Sequence, residues 1–478
     1  MFDTDTLHEE CGVFGIFDHA DAGALSVLGL HALQHRGQEA AGIVTYDGNQ
    51  FIAERHAGLV GDIFGRNSGA AASLKGRSAC GHVRYSTAGG SNARNIQPLF
   101  ADLSGGGIAV AHNGNLTNAN TLRTDLVAQG AIFQSTSDTE TIIHLAARSG
   151  SPRIVDKLID ALRQVEGAYS LVALTSKKLI GVRDPFGVRP LVLGMLEGSP
   201  ILASETCALD IIGAEFVRDV EPGELIVVTD KGIESHFPFK PQPHRFCVFE
   251  YIYFARPDSV LEGRNIYEAR KGIGRVLAEE SPAIADLVVP VPDSGVPAAL
   301  GFATAANIPF ELGIIRNHYV GRTFIEPSDR IRHLGVRLKH SPNRAKLKGQ
   351  RVVLVDDSIV RGTTSRKIVE MVRDAGAREV HFRVASPPTT HSCFYGVDTP
   401  TTGELLAHRM DVEDMRQFIG ADSLAFISMN GLYRAMNAGE RGASRFCDAC
   451  FSGDYPISLT DASGGPRERQ LSLLADVA

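Results

Sequence analysis

The segment VVLVDDSIVRGTTS, residues 352–365, decides the fold of the second half of the chain. A run of mainly β-branched residues leads into Asp356 and Asp357, and small residues with one glycine follow before a helical pattern begins. Backbone N–H groups in such a turn, with a helix N-terminus, form a cradle for phosphate. Adjacent carboxylates at a strand end suit a ribose diol or a divalent metal. A solvated acidic turn is the alternative, but the strand–turn–helix context favours a binding loop that is not a Walker loop.

Two further segments have the same strand character. IADLVVPVPDSG (284–295) and EVHFRVASPP (379–388) each contain a strand that looks buried on both faces. Helical patterns at Pro297–Ala306 and Thr364–Ala375 alternate with them. This alternation predicts an α/β fold with an open parallel sheet and helices on both of its faces.

The 352–365 segment resembles the phosphoribosyl pyrophosphate signature of the type I phosphoribosyltransferases. The resemblance implies that Asp356 and Asp357 contact the ribose hydroxyls and, through them, one Mg²⁺ per subunit. The loop VPVPDSGVP (289–297) is similar to that family's pyrophosphate loop, which implies that Ser294 lies near the same metal. The residues implied to bind phosphoribosyl pyrophosphate are Asp356, Asp357, Ser358, Ile359, Val360, Arg361, Gly362, Thr363 and Thr364.

A basic segment, RNHYVGRTFIEPSDRIRHLGVRLKH (316–340), lies between these loops. One interpretation is an ordinary exposed loop. The other is a mobile flap that closes over the diphosphate, excludes water and supplies positive charge as pyrophosphate departs. Composition alone leaves both open.

The composition is that of an ordinary globular protein. The chain has 478 residues, of which 44% are hydrophobic and 22% charged, so two or three domains are expected. A net charge of −7 disfavours a nucleic-acid partner, and no apolar stretch reaches the length of a membrane span. The leader MFDTDTLHEE is acidic, unlike a secretory or mitochondrial signal. We expect a cytoplasmic enzyme without a membrane partner.

The first half has short strand-like runs that end in Gly, Asp or Asn, with helical stretches between them. The runs are CGVFGIFD (11–18), AAGIVTYDG (40–48), SACGHVRYST (78–87), GIAVAHNGNL (107–116) and YSLVALTSKKLIGVRD (169–184). The helical stretches are residues 20–37 and 137–167. This pattern suggests stacked sheets and helices.

Cys11 stands at the start of the first of these runs. A thiol is mostly protonated near pH 7 and needs a base to act as a nucleophile. An α-amino group, with a pKa of about 7.7 to 8, is such a base. Cleavage between Glu10 and Cys11 would place that amine on Cys11 and would make residues 1–10 a propeptide. The alternative is a buried strand cysteine behind a disordered start.

Five motifs favour the interpretation of Cys11 as a nucleophile over that of a buried strand cysteine. In chain order they are CGVFGI, HRGQEAAG, GHVRYSTAG, AHNGNLTN and SDTE, and together they resemble the glutaminase domain of the N-terminal-nucleophile amidotransferases. The resemblance implies a four-layer αββα fold in which Cys11 attacks the side-chain amide of glutamine. Its implied site residues are Asn113 and Gly114 for the oxyanion hole, Arg84 for the α-carboxylate of glutamine, Asp138 for its α-ammonium group and, more weakly, Arg36 for lining the pocket.

The order of the two halves resembles the glutamine phosphoribosylpyrophosphate amidotransferase family. The resemblance implies a propeptide (1–10), a glutaminase domain (11–240), a type I phosphoribosyltransferase domain (241–460) and a flexible tail (461–478). It implies that glutamine, phosphoribosyl pyrophosphate and water give 5-phosphoribosylamine, pyrophosphate and glutamate, the committed step of purine synthesis. Feedback inhibition by purine nucleotides and a homotetramer are implied too.

The pair CDAC (447–450) fits zinc, redox chemistry or iron–sulfur ligation on its own. One subtype of the family has both a propeptide and a [4Fe–4S] cluster, one per subunit, held by four cysteines. The cysteines at matching positions are Cys247, Cys393, Cys447 and Cys450, and thiolate ligation suits such a cluster. Cys80 and Cys207 are then ordinary buried residues.

Two other functions are considered. A glutaminase that aminates a sugar phosphate would need sugar isomerase domains, which the 352–365 segment disfavours. A nucleotide-binding regulator would use the phosphoribosyl loop only for sensing, and it would have no use for Cys11, Asn113 and Asp138 together.

Overall fold

The computed structural model describes residues 11–65, 69–85, 93–317, 340–439, 441 and 445–463. The predicted propeptide, most of the predicted basic flap and most of the predicted tail lie outside these residues. The strands are β1 Gly12–Ile16, β2 Ala40–Tyr46, β3 Phe51–Ala57, β4 Ser78–Arg84, β5 Leu99–Leu103, β6 Gly106–Leu116, β7 Gly167–Thr175, β8 Leu179–Arg183, β9 Val192–Leu196, β10 Ser199–Ala203, β11 Glu215–Asp219, β12 Leu225–Thr229, β13 Gly232–His236, β14 Phe246–Cys247, β15 Val260–Leu261, β16 Arg264–Asn265, β17 Leu287–Pro290, β18 Ile314–Arg316, β19 His340–Pro342, β20 Arg351–Asp356, β21 Glu379–Val384, β22 Ser423–Phe426 and β23 Phe446–Cys447.

The helices are mostly short. The α-helices are Ala22–Ala32, Val60–Ile63, Gly69–Ser73, Ala119–Ala128, Asp138–Arg148, Ile154–Leu162, Cys207–Asp210, Ile266–Glu280, Val296–Ala306, Arg344–Leu347, Thr363–Asp374, Leu406–Arg409, Val412–Ile419, Met429–Ala435, Ala449–Ser452 and Thr460–Ser463. Three 3₁₀ turns cover Gln34–Arg36, Ala93–Asn95 and Thr402–Glu404, and a π-helix covers Glu250–Phe254. Within the described residues, no helix has both the length and the apolar character needed to cross a membrane.

Two antiparallel sheets form the first half of the chain. One has the order β11-β9-β10-β1-β4-β2-β3 and the other β13-β12-β8-β7-β6-β5. Apolar side chains of both sheets, such as Val13, Val44, Val172 and Leu202, meet in one buried cluster. β1 and β7 are buried along their whole length, and successive residues of β1 point to opposite faces, with Val13 towards the second sheet and Phe14 towards the helices.

Helices cover the outer face of each sheet. The helix Ala22–Ala32 buries Leu30 against the first sheet. The helices Asp138–Arg148 and Ile154–Leu162 cover the second, where Ile142 and Leu158 join its cluster. The sequence of layers is helix, sheet, sheet, helix, so the predicted αββα fold is confirmed.

A four-stranded parallel sheet forms the second half, in the order β17-β20-β21-β22. Alternate residues of β20 point to opposite faces. Val353 and Val355 pack towards the helices Ile266–Glu280 and Val296–Ala306, and Leu354 packs towards Thr363–Asp374 and Val412–Ile419 on the other face. The predicted open parallel sheet is therefore confirmed.

The two helices that cover one face of this sheet approach each other closely through glycines. A Cβ atom at Gly274 would lie 1.8 Å from the carbonyl oxygen of Ala298, and one at Gly301 would lie 2.0 Å from that of Lys271. Only a residue without a side chain allows this contact, so the glycines set the distance between the helices.

We therefore expect Gly274→Ala to destabilise the protein by about 1–3 kcal/mol, because the added methyl group overlaps a backbone oxygen. An alanine normally stabilises a helix relative to glycine by about 1 kcal/mol. A loss of stability in Gly274→Ala would therefore show that the steric overlap outweighs the higher helix propensity of alanine. The matched control is Gly61→Ala in the helix Val60–Ile63, where a Cβ atom would meet nothing within 4 Å. The urea midpoint of the full chain measures both, and a higher midpoint for Gly274→Ala would contradict this prediction.

Candidate active sites

Cys11 precedes β1, which lies between β10 and β4 in the middle of the first sheet. Its side chain is buried, and Sγ donates a weak hydrogen bond to the carbonyl oxygen of Tyr85 at 3.5 Å. The backbone carbonyl of Cys11 accepts a hydrogen bond from Arg36 Nε at 3.3 Å. Burial raises the pKa of the thiol, and the positive charge of Arg84 opposes that shift. The thiol thus needs a base to become a nucleophile.

A row of hydrogen bonds connects β4, the strand next to β1, to the second sheet. On β4, His82 lies two residues before Arg84, and its Nε2 is 3.1 Å from the carbonyl oxygen of His112 on β6. Gln97 then accepts from His112 N–H at 2.7 Å and donates to the hydroxyl of Thr139 at 3.1 Å. The structure therefore holds β4, β6 and the first turn of the helix Asp138–Arg148 together.

The predicted glutamine-binding residues, Arg84 and Asp138, lie next to this row in the chain. Arg84 is buried, and its guanidinium donates to the carbonyl oxygen of Asn95 at 3.0 Å. Asp138 is the first residue of its helix and accepts from Leu116 N–H at 3.0 Å. Burial alone would raise the pKa of Asp138, but the interaction with His112 brings it below its usual value. A buried cation and a buried anion can thus bind the two charged groups of an amino acid.

Asn113 and Gly114 follow His112 on β6. Both polar side-chain atoms of Asn113 are buried and have no hydrogen-bond partner among the described residues, which is rare in a folded protein and needs an explanation. Gly114 has φ +140°, and a Cβ atom there would lie 2.0 Å from the carbonyl oxygen of Ala168. The glycine therefore lets the backbone N–H keep an orientation that other residues could not adopt.

A buried charge cluster lies beneath Cys11. Arg36 NH1 is 2.5 Å from Glu205, and its NH2 is 2.6 Å from Glu250. Arg189 NH2 lies 3.3 Å from the same carboxylate of Glu250. All four of these side chains are fully buried. Arg36, proposed from sequence as lining the pocket, is thus bound by two carboxylates and supports the Cys11 backbone.

The predicted phosphate loop lies at the carboxyl end of β20. Asp356 and Asp357 are buried, and the two hydroxyl groups beside Asp357 donate to it at 2.6 Å, one from Ser294 and one from Ser358. Ser294 follows β17, the strand that pairs with β20. The two predicted loops therefore meet at one edge of the sheet, where Ser294 contacts Asp357. Carboxylates and a hydroxyl together form an all-oxygen donor set.

The rest of the loop is held by its apolar residues. Ile359 and Val360 are buried, and Val360 O accepts from Leu406 N–H at 2.8 Å. Gly362 has φ +80° and precedes the 12-residue helix Thr363–Asp374. The backbone between Ser358 and Thr364 thus ends at a helix N-terminus, which suits an anion.

Four predicted iron ligands lie around one cavity. The cavity is lined by Cys247, Cys393, Cys447 and Cys450, with Arg189 and apolar side chains such as Val188, Phe249 and Val397 between them. The strands β14 and β23 pair in parallel and place Cys247 opposite Cys447. No three His, Cys, Asp or Glu side chains in the described ranges converge as they would around one metal ion. Cys80 and Cys207 are buried elsewhere, as expected.

Sequence reasoning missed Glu205, Glu250 and Arg189. Each is fully buried and charged. The available signal was a glutamate inside the apolar run CVFEYIYF (247–254), because a charge within such a run is retained only when it is paired.

Fold and site together define a class of protein, a glutaminase joined to a phosphoribosyltransferase. The profile of the glutamine amidotransferase domain family matches residues 82–210, and that of the phosphoribosyl transferase domain family matches residues 258–386. An amidophosphoribosyltransferase of Rhizobium etli is 61% identical over 99% of this chain and 97% of its own. One of Bacillus subtilis is 49% identical over 95% of each chain. The chain belongs to the amidophosphoribosyltransferase family, whose reaction is the first step of purine biosynthesis.

Solved structures agree. One, described as the allosteric regulatory enzyme of purine biosynthesis, has a TM-score of 0.90 and 48% identity, covering 94% of this chain and 97% of its own. Another is the glutamine phosphoribosylpyrophosphate amidotransferase of Bacillus subtilis complexed with ADP and GMP, with a TM-score of 0.89 and 48% identity over 94% of this chain and 98% of its own. The prediction of an amidotransferase with these two domains is confirmed.

The charge cluster leads to a stability prediction. We expect Glu250→Gln to destabilise the protein by roughly 3–5 kcal/mol, because it removes a carboxylate that two buried guanidinium groups share and leaves one negative charge fewer to neutralise them. The matched control is Glu413→Gln, whose carboxylate is exposed and pairs with Arg416, and we expect less than about 1 kcal/mol there. Urea denaturation compares the two variants with the wild type. Equal shifts for both would show that the buried cluster does not stabilise the fold.

Proposed function

We propose that Cys11 is the nucleophile that releases ammonia from glutamine. Once residues 1–10 are removed, the α-amine of Cys11 accepts the thiol proton, and Sγ attacks the amide carbon of glutamine. Arg84 binds the α-carboxylate of the substrate and Asp138 its α-ammonium group. Ammonia leaves, and water hydrolyses the thioester to glutamate. The observation that carries this proposal is the buried, unpartnered amide of Asn113 among the described residues.

Asn113 and the Gly114 N–H would stabilise the oxyanion of this reaction. Negative charge develops on the carbonyl oxygen only in the transition state, so fixed donors lower the barrier without binding the substrate more tightly. An amide that finds no partner in the folded chain is free to donate at that moment. The left-handed backbone at Gly114 (φ +140°) gives the second donor its orientation.

We infer that the loop from Asp356 to Thr364 binds phosphoribosyl pyrophosphate. Asp356 and Asp357 accept hydrogen bonds from the ribose diol, while backbone N–H groups and the helix N-terminus hold the 5′-phosphate. Ammonia attacks C1 of the ribose, and the C1–oxygen bond to pyrophosphate breaks. Ammonia must reach this site without being protonated in bulk water, which explains why both sites occur in one chain.

We propose Mg²⁺, one per subunit, at Asp356, Asp357 and Ser294. The donors are all oxygens, the ligand type that Mg²⁺ prefers, and the 2.6 Å contact between Ser294 and Asp357 supports a shared position. The bound ion would supply charge neutralisation for the diphosphate leaving group. The chain's own part is to hold both carboxylates at the strand end, next to the ribose.

We propose a [4Fe–4S] cluster, one per subunit, in the cavity that the four cysteines line. Such a cluster is larger than a single ion, so it needs thiols around a cavity and not around a point. The apolar walls and the cation of Arg189 suit a group of several bound thiolates, which carries negative charge. This assignment would place the chain in the subtype with both a propeptide and a cluster.

The remaining family features are proposals of the same kind. We propose a homotetramer in the cytoplasm, with purine nucleotides as feedback inhibitors. The complex of the Bacillus subtilis relative with ADP and GMP supports the nucleotide site. The match to a phosphoribosyl transferase domain disfavours amination of a sugar phosphate, and the complete glutaminase site disfavours a pure sensor.

Two variants separate the two reactions. We expect Cys11→Ala to abolish phosphoribosylamine formation from glutamine while leaving formation from ammonium chloride at alkaline pH within about twofold, because ammonia then bypasses the thiol. The control Cys80→Ala removes a buried thiol outside both sites and should keep both activities. Asp357→Asn should lower both by about 100-fold or more. Glutamine-dependent turnover by Cys11→Ala would refute the assignment of the nucleophile.

Intact mass with iron and sulfide analysis tests the cluster. We expect anaerobically purified protein to begin at Cys11 and to hold four irons per chain. Cys450→Ala should lose the iron, whereas the control Cys207→Ala should retain it, because Cys207 lies outside the cavity. Zinc in place of iron, or equal iron in both variants, would contradict the cluster, and a chain that retains residues 1–10 and still uses glutamine would contradict the α-amine as base.

A further inference from the structure

A short segment of the transferase half, Phe394–Gly396, lies directly against the glutaminase strand β6. Its Phe394 carbonyl oxygen accepts a hydrogen bond from the side-chain amide of Asn115 at 2.9 Å. Gly396 is buried and has φ +111°, and a Cβ atom there would lie 3.0 Å from the Cα atom of Gly114. Two backbones thus meet with no side chain between them.

The segment is rigidly held on its other side. Tyr395 is buried, and its hydroxyl donates to the carbonyl oxygen of Ile457 at 2.6 Å. The N–H of Cys393 donates to the Thr399 hydroxyl at 2.7 Å. Further along, Glu404 pairs with Arg361 of the phosphate loop at 3.1 Å. A backbone fixed by so many partners can support the strand that it contacts.

We propose that Phe394–Gly396 is a positioning element of the glutaminase site, which holds Gly114 and therefore the oxyanion hole in place. The proposal rests on the assignment of Asn113 and Gly114 to that hole. Donors of this kind act only when they lie within hydrogen-bond distance of the developing charge, and a displacement of about 1 Å can cost roughly 100-fold in rate. The transferase half thus supplies structural support for the first reaction, and Phe394–Gly396 acts on it through β6.

The first test is Gly396→Ala. A methyl group there would lie 3.0 Å from the Gly114 Cα atom, so the Gly114 backbone must shift by a few tenths of an ångström. We expect the kcat for glutamine to fall by about 10- to 100-fold with little change in KM, because the loss concerns the transition state alone. The ammonia-dependent rate should stay within about twofold. The matched control is Gly403→Ala in the nearby turn Thr402–Glu404, where a Cβ atom would meet nothing within 4 Å.

A second variant avoids the backbone strain of alanine at a positive φ. Asn115→Ala removes the hydrogen bond to Phe394 and leaves Gly396 unchanged, and we expect a smaller loss of the same kind, about 3- to 10-fold in the kcat for glutamine. If Gly396→Ala does not fold, Asn115→Ala alone tests the positioning role of Phe394–Gly396. The proposal is overturned if Asn115→Ala and Gly396→Ala match Gly403→Ala in glutamine turnover, or if both activities fall together.

The underlying assignment is tested separately by Asn113→Ala. A wild-type rate with glutamine in that variant would reject the assignment of Asn113 to the oxyanion hole, whatever the rate of Gly396→Ala. A low rate in Asn113→Ala together with an unchanged rate in both Gly396→Ala and Asn115→Ala would reject the positioning role alone.

Discussion

A buried carboxylate from one half of the molecule neutralises a buried guanidinium from the other. Glu250 follows the predicted domain boundary, whereas Arg36 belongs to the first half, and both side chains are fully buried. An isolated charge in such a place would cost several kcal/mol, so each of these charges is retained there because it is paired. Since Arg36 also binds the Cys11 carbonyl, the position of Cys11, the proposed nucleophile, depends on contact between the halves.

The two halves also depend on each other at β6. Gly114, the proposed oxyanion residue, packs on Gly396, and Arg189, which lines the cysteine cavity, pairs with Glu250. The cavity, the charge cluster and the glutaminase strands are therefore neighbours. The proposed cluster would therefore have a structural role and not one in electron transfer, because its cavity shares Arg189 with the charge cluster that supports the Cys11 backbone.

The strands that could be predicted are those with an uninterrupted local pattern. β1, β2, β4, β6 and the β7–β8 hairpin follow apolar runs ended by turn residues. The helical stretch 137–167 proved to be two helices, because Ser149–Arg153, with a proline at 152, interrupts it. β3, β5 and β9–β13 were missed because most are short and several are half-exposed, which weakens the local apolar pattern.

The sequence by itself determined the phosphate loop, because strand, turn and helix are contiguous and their chemistry is local. It also determined the order of the two domains and, through motif order, the residues around Cys11. Only the tertiary structure decided which distant groups are paired: the ion pair of Arg36 and Glu250 joins residues 214 positions apart, and the hydrogen bond of Asn115 to the Phe394 carbonyl joins residues 279 apart. No local pattern encodes such a contact, because burial and pairing depend on how separate sheets pack.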